Sequence, residues 1–405
     1  MKQKYVILRA GGTAATGPFT GPLGTGVRGG LIGGGPFAAD PRIEADDLDS
    51  NRVAELRQQN DVVAIAPQMP TRLIAPLDVD GTPPEATLGN VTWGVQAVGA
   101  DGSQLTGEGV TVAVLDTGID RNHPAFAGVD IVEQDFTGDG NGDVNGHGTH
   151  CAGTIFGRDV SGIRIGVARG VQRALIGKVL GNDGSGNTLW SLEAIEWAVK
   201  NGATVISMSL GIDFPGYVDR LVNQSGIPTD LATSIALEGF RTTIGVYEGL
   251  VSFVKARHEF GGTSIIVAAA GNENRQFQNP DWSIAVGLPA ATDGILSVAA
   301  LGQGDGGYVP ARFSNSGAMV AAPGVNVLSA QANSAGLVAF NGTSMAAPHV
   351  AGVAALWAQW LRRQRTLTPF TLETKLAGSA TTASLDPRYQ PADVGLGLVQ
   401  APPSA

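Results

Sequence analysis

Beyond residue 90 this chain alternates near-continuous apolar runs with helical patterns, and that alternation leaves it few ways to fold. "GVTVAVLD" (109–116), "TVISMSLG" (204–211) and "SIIVAAAGN" (264–272) are strand-length and apolar almost throughout, then end in small or polar residues. Such runs fit strands covered on both faces, as in a parallel sheet. Between them, "TLWSLEAIEWAVKNG" (188–202) sets Leu189, Leu192, Ile195, Ala198 and Val199 along one helical face and stops at Gly202. "MAAPHVAGVAALWAQWLRR" (345–363) reads as a helix of small residues buried on most sides. The pattern predicts an α/β fold, a mostly parallel central sheet flanked by helices. Ligands of such sheets gather at the carboxyl ends of the strands, so the polar residues there are the ones to inspect.

The first ninety residues differ. Residues 11–36 are glycine-rich without periodicity and read as a flexible loop. The G-x-G-x-x-G at 24–29 has no strand before it and no helix after it, which removes a dinucleotide site. "DSNRVAELRQQNDVVAIAPQMP" (49–70) reads as a capped helix, a turn and a strand. A linker rich in Pro, Gly and Thr follows. The expected organisation is a small α+β unit over 1–75, a linker over 76–90 and the main domain over 91–402. A net charge of −10 argues against a nucleic-acid surface. The basic cluster "LRRQR" (361–365) fits a helix end. The one cysteine, Cys151, excludes an intrachain disulfide and suits a reducing compartment. No run reaches the roughly 18 apolar residues of a membrane helix, and the first is too short for a secretion signal. The expectation is a soluble protein bound to no membrane, intracellular unless exported by another route.

Each polar strand end is ambiguous by itself. Asp116 closes "AVLDTGID"; Asp-Thr-Gly also marks aspartic proteases, but their chemistry needs a second such carboxylate, and none is present. His147 lies among small residues in "NGHGTHCAGT" (145–154), and imidazole can accept and return a proton near neutral pH. His150 is three residues on, without the further ligands a zinc site needs. Asn272 closes "VAAAGN", where a carboxamide could donate to an oxyanion. Ser344 precedes the small-residue helix and could be a nucleophile or an N-cap. His349 cannot serve it as base, because five helical residues turn the two side chains roughly 140° apart. Pro348 is expected in the first helical turn, where it is tolerated.

Together these segments resemble the subtilisin-like serine protease family: "AVLDTGID", "NGHGTHCAGT" and "NGTSMAAPHVAG" in that order, with "SMSLG" (207–211) and "AAAGN" (268–272) between the last two. "WGVQAVGA" (93–100) looks like the start of the family's mature domain. The resemblance covers roughly residues 90–400. It implies a three-layer subtilisin-like fold, with Ser344 as nucleophile, His147 as general base and Asp116 orienting the histidine. Asn272 and the Ser344 amide would form the oxyanion hole. Ser207, Met208, Ser209, Leu210 and Gly211 would line an extended substrate, with Ala269, Ala270, Gly271 and Gly287 beside them. "GLPA" (287–290) resembles the wall of the primary pocket, and the absence of charge there implies apolar side chains.

Cys151 is similar to the free cysteine of the proteinase K and thermitase branch, a packing residue rather than a nucleophile. No cofactor is needed for this chemistry. A structural calcium is expected at Asp135, Asp139, Asn141 and Asp143, whose alternation can wrap oxygens around a cation; a solvated acidic turn is the alternative. The stretch 212–264 is longer than the family core and holds a helix-like segment (231–254) that could widen the cleft or contact a partner. Residues 1–75 resemble the family's inhibitor-type propeptide, so the partners implied are protein or peptide substrates and the chain's own N-terminal segment. The function implied is a serine endopeptidase made as a proenzyme. A silent scaffold on the same fold is the alternative, opposed by four filled catalytic positions. An esterase of the α/β-hydrolase kind is opposed by the missing G-x-S-x-G elbow.

Overall fold

The computed structural model describes residues 2–11, 41–77, 90–276, 278–279 and 281–403. Most of the glycine-rich segment, its G-x-G-x-x-G and most of the 76–90 linker lie outside the described residues. In the N-terminal unit, β1 (Gln3–Arg9) lies between β2 (Arg42–Leu48) and β3 (Val62–Pro67), both antiparallel to it. Helix α1 (Ser50–Leu56) starts where the Asp49 carboxylate accepts the Arg52 amide, so this cap is as read from the sequence. Strand alternation splits β1 between two cores. Ile7 joins Val53, Leu56 and Ile65 under α1, whereas Val6 and Leu8 turn to the main domain.

β4 (Pro70–Leu73) is bonded into the main domain, antiparallel to β8 (Ser185–Asn187) on one side and β10 (Leu210–Ile212) on the other.

Helix α2 (Trp93–Ala97) leads into the central sheet. Its strands are β5 (Thr111–Asp116), β6 (Asp130–Asp135), β7 (Arg173–Lys178), β9 (Val205–Met208), β11 (Ile265–Ala269), β12 (Ile295–Gly304), β13 (Gly307–Pro310) and β14 (Val320–Pro323). They lie in the order β13-β12-β11-β9-β5-β7-β6, with β14 also on β12, and every neighbouring pair is parallel except β12–β13. In β5, Val112 and Val114 face one core while Ala113 and Leu115 face the other, which explains the unbroken apolar run. The chain leaves β5 to build β6 and β7 on one side, then returns to build β9, β11 and β12 on the other. The crevice at that reversal lies above Asp116 and the end of β9. "TVISMSLG" is therefore two strands: β9 stays in the central sheet and β10 breaks away at Ser209.

Helix α3 (His147–Phe156) packs on one face of this sheet. After the hairpin β15 (Val327–Ala330) and β16 (Leu337–Phe340), α7 (Thr343–Arg363) and α8 (Pro369–Ser379) cover the same face. On the opposite face lie α4 (Thr188–Lys200) and the long α6 (Thr229–Ala256), which α5 (Phe214–Asn223) precedes. The enlarged segment is therefore a helical layer with a definite neighbour. α6 lies against β3 so closely that a side chain at Gly249 would meet Leu8 and Val63, and one at Gly239 would meet Pro67. Tyr217 and Leu221 of α5 form a further small core with Met69 and with Ala232 and Ala236 of α6.

His349 is a packing residue. Its Nδ1 donates to the Met345 carbonyl at 2.8 Å, burial pushes its pKa down to about 4, and its ring lies over Gly94 of α2. A Cβ at Gly94 would stand 2.1 Å from His349 Nε2. Gly→Ala usually favours a helix, but Gly94→Ala should lower stability here, by about 1–3 kcal/mol of overpacking. A urea midpoint equal to or above wild type would contradict this.

Candidate active site

Asp116 is the last residue of β5 and His147 the first of α3, and both are buried. His147 Nδ1 donates to Asp116 Oδ1 at 2.8 Å, and the Thr117 amide donates to the same oxygen at 2.7 Å. Burial opposes a charged ring, but the Asp116 carboxylate overrides it and holds the His147 pKa well above the usual 6.5. His147 Nε2, the atom that would take a proton, is buried without a hydrogen-bond partner. His150 points elsewhere: its Nε2 donates to the Val327 and Val338 carbonyls, its ring stacks on Phe340, and burial pushes its pKa down to about 3. The two histidines share no site.

Asp143 fixes His147 in place. Its Oδ1 accepts from Thr117 Oγ1 and the Gly146 amide, both at 2.8 Å, and its Oδ2 accepts from the amide and hydroxyl of Thr149 at 2.8 and 2.6 Å. One carboxylate thus caps α3 and ties it to the end of β5. The approach is close enough that a side chain at Gly148 would stand 2.2 Å from the Gly118 carbonyl.

Ser344 is the second residue of α7, and Gly342 is the N-cap, so the N-cap reading of the serine does not hold. Thr343 orients Asn272: its amide and hydroxyl donate to Asn272 Oδ1 at 2.9 and 3.0 Å, leaving the Nδ2 hydrogens for the cleft. Pro348 lies in the second turn of α7, one turn later than expected. It has no N–H for the carbonyl four residues back, which is that of Ser344. That carbonyl accepts instead from Cys151 Sγ at 3.4 Å and Ser209 Oγ at 3.3 Å. Burial pushes the Cys151 thiol up, so it remains a protonated donor, and its sulfur also lies 3.8 Å from His147 Nδ1. The thiol thus packs between the Nδ1 side of the His147 ring and the Ser344 backbone carbonyl.

The cleft holds the chain's own residues 70–77. The Ser344 hydroxyl donates to the Ile74 carbonyl at 2.9 Å, and Asn272 Nδ2 donates to the Ala75 carbonyl at 3.0 Å. Upstream, Leu73 faces Leu210 and Arg72 faces Gly211, while the Leu73 amide donates to the Gly184 carbonyl at 2.8 Å. The Ile74 amide reaches the Ser209 carbonyl at 3.4 Å. Downstream, Leu77 exchanges hydrogen bonds of 2.9 and 2.8 Å with the carbonyl and side-chain amide of Asn341. Ile74 is 5% exposed, its side chain tucked beside Gly211.

Comparison with known proteins identifies the family. The subtilase family model matches residues 107–397, more than half of the chain.

The chain belongs to the subtilase family.

It is 33% identical over 300 residues to Subtilisin DY of Bacillus licheniformis, covering 72% of this chain and 92% of that protein. It is 36% identical to Subtilisin Savinase of Lederbergia lenta, over 66% of this chain and 84% of that one. A subtilisin-like protease of Coccidioides posadasii matches at 35% identity over 62% of this chain, which spans only about half (52%) of that relative's length. Among solved structures, a cold-adapted subtilisin-like serine proteinase aligns with 78% of this chain and 99% of its own, at a TM-score of 0.55 and 28% identity. The fold is thus subtilisin-like.

Within this subtilase, the residues expected to line a substrate separate into two groups. Ser209, Leu210 and Gly211 face the segment in the cleft. Ser207 and Met208 do not, because they stand in β9 with their backbones spent on β5 and β11. Ala269 ends β11; the Ala270 carbonyl accepts from the Gly287 amide at 3.1 Å, and the Gly271 amide donates to Thr343 Oγ1 at 3.1 Å. These residues shape the wall behind Asn272, and Gly287 leaves open space where a side chain would be. Thr343 and Asn341 were missed although "NGTS" holds both. Ile74 gave no signal beyond an ordinary apolar residue before a linker.

The four residues expected to bind calcium do not form a cage. Asp135 accepts the amides of Thr137, Gly138 and Gly140 and the Thr137 hydroxyl at 2.7–3.1 Å. Burial alone would raise its pKa, but these donors hold it below the usual carboxylate value. Asp139 accepts the Asn182 amide at 2.8 Å, Asn141 lines a surface hollow, and Asp143 is taken up by α3. At Asp135 and Asp143 hydrogens point where a cation needs lone pairs. The nearby buried Lys178 donates to the Thr117 and Gly142 carbonyls and to Asn182 Oδ1, so its ammonium already ties these loops together. Asp139→Ala/Asn141→Ala should therefore leave any calcium response of the melting temperature as it is in the wild type; loss of that response in the variant would show that the loop closes around a metal.

Proposed function

We propose that this subtilase is a serine endopeptidase made as a proenzyme, with residues 1–77 acting as its own inhibitor and folding partner. One observation carries this reading: the segment occupies the cleft as an added strand, with the carbonyls of Ile74 and Ala75 on Ser344 and Asn272. The buried Ile74 side chain supports a preference for apolar residues in the adjoining pocket.

The chemistry follows from atom positions. Ser344 Oγ attacks a peptide carbonyl carbon as its proton passes to His147 Nε2, and Asp116 stabilises the imidazolium. The oxyanion is met by Asn272 Nδ2 and the Ser344 amide; one such donor is typically worth about 3–4 kcal/mol. His147 returns the proton to the departing amine as the C–N bond breaks, and water then hydrolyses the acyl-enzyme through the same base. In the bound state Ser344 Oγ donates to Ile74 rather than to His147, and Asn272 is engaged with the following carbonyl. Both bonds must be exchanged before attack, which is how the segment inhibits. The β1–β3 sheet on α4 and α6 keeps it there, giving the enlarged 212–264 region its role as a dock.

Mass spectrometry of the purified wild type should show cleavage within about 68–92, with labelling of Ser344 by a fluorophosphonate, while Ser344→Ala stays intact and unlabelled. An intact wild type that is fully active would remove self-processing, and an unlabelled processed one would remove the enzyme. The base works only when neutral, so a raised His147 pKa places the acid limb of kcat/KM above pH 6.5, activity falling as pH drops through it. Asp116→Asn should move that limb down and reduce kcat roughly 10⁴-fold. A limb unmoved by the substitution would assign it to another group.

A further inference from the structure

Arg72 is the one charged residue in the segment that fills the cleft. It stands opposite Gly211, two residues before Ile74, and its guanidinium spans two carboxylates. Nη1 lies 3.2 Å from Asp213 Oδ1 and Nη2 lies 3.4 Å from Glu273 Oε1. Neither acid depends on Arg72 for its position. Asp213 caps α5 by accepting the Gly216 amide at 3.2 Å. Glu273 is pinned by Asn315, which donates to Oε2 at 2.8 Å and accepts the Glu273 amide at 3.0 Å. Among the described residues, the ion pairs recorded for Asp213 and Glu273 are both with Arg72. Removing the segment would leave two fixed carboxylates converging on one point of the cleft with that counter-charge gone.

We propose that Asp213 and Glu273 form a subsite for a basic side chain, selecting substrates with arginine two residues upstream of the residue that fills the apolar pocket. This rests on the endopeptidase reading. Arginine suits the site better than lysine, because two separated nitrogens can meet two carboxylates at once whereas an ammonium is a single point. The pair is partly exposed, with side-chain exposures of 24% for Asp213 and 39% for Glu273, so each contact is modest and screened by salt. In the proenzyme the chain supplies its own arginine and occupies the subsite until the segment leaves.

Peptides that keep the sequence Thr-X-Leu-Ile-Ala, with X as Arg, Lys, Ala or Glu, test this on the processed enzyme. Expected kcat/KM falls in the order Arg, Lys, Ala, Glu, with Arg about five-fold above Ala at low salt and the gap narrowing at high salt. The Asp213→Asn/Glu273→Gln double variant should erase the Arg-to-Ala ratio. Equal rates for Arg and Ala, or a ratio the double variant leaves intact, would overturn the subsite. A readout independent of turnover uses the full-length Ser344→Ala chain, in which hydrogen exchange of residues 71–74 reports how firmly the segment is held. Arg72→Ala should speed that exchange several-fold, and the double variant should do the same. If no peptide is cleaved, the endopeptidase reading fails, and unchanged exchange in Arg72→Ala would separately refute the subsite.

Discussion

A helix buried along nearly its whole length is the constraint on which the rest of this molecule depends. All but three of the 21 residues of α7 are buried, and the many Ala, Gly and Val among them let neighbouring elements approach closely. Packed against the sheet, α7 starts beside the ends of β9 and β11. Ser344 is carried there as a matter of backbone geometry. A buried helix start leaves amides and carbonyls to be satisfied, and the neighbours of the serine are the groups that do so. Asn272 takes the Thr343 amide, while Ser209 and Cys151 take the carbonyl that Pro348 leaves free. Thus the same bonds that make the helix tolerable in the interior also hold the Ser344 hydroxyl and amide at the cleft.

A second brace holds His147. Asp143, Thr117 and Lys178 join the end of β5, the start of α3 and the glycine-rich turn between them through short buried hydrogen bonds. The Asp116–His147 contact joins this network through the Thr117 amide. Buried polar networks of this kind stabilise only when every member is satisfied. Two exceptions meet in one contact: Asp116 Oδ2 and His147 Nε2 are both buried without a partner, and Nε2 is the atom that would receive a proton in the proposed chemistry.

Much of this was legible in the sequence, for local reasons. Apolar runs and helical periodicity gave β5, β11, α4 and α7, and residue chemistry at strand ends singled out Asp116, His147, Asn272 and Ser344. What stayed hidden depends on distant partners. Asp135 and Asp143 look alike in a glycine-rich stretch, and only the donors folded around them separate a turn anchor and a helix cap from calcium ligands. Ser207 and Met208 share a motif with Ser209, but the break between β9 and β10 decides which of them meet the cleft. Pro348 was placed in the first turn because the helix was read as starting at Met345, whereas it starts at Thr343. Residues 70–77 read as the edge of a linker, since their partners lie between about 110 and 270 positions away in the chain.

The path of β4 between β8 and β10 has a consequence for how occupancy of the cleft responds to dilution. While the chain is continuous, residues 70–77 meet Ser344 as an intramolecular neighbour, at an effective concentration on the order of millimolar for a short tether. Their hold is then the same in a crowded solution as in a sparse one. A single cut downstream of Ile74 leaves the strand pairing and the docked β1–β3 sheet untouched, yet turns the contact into a complex between two chains. From that moment the open fraction is set by mass action, so volume itself governs when the cleft becomes free.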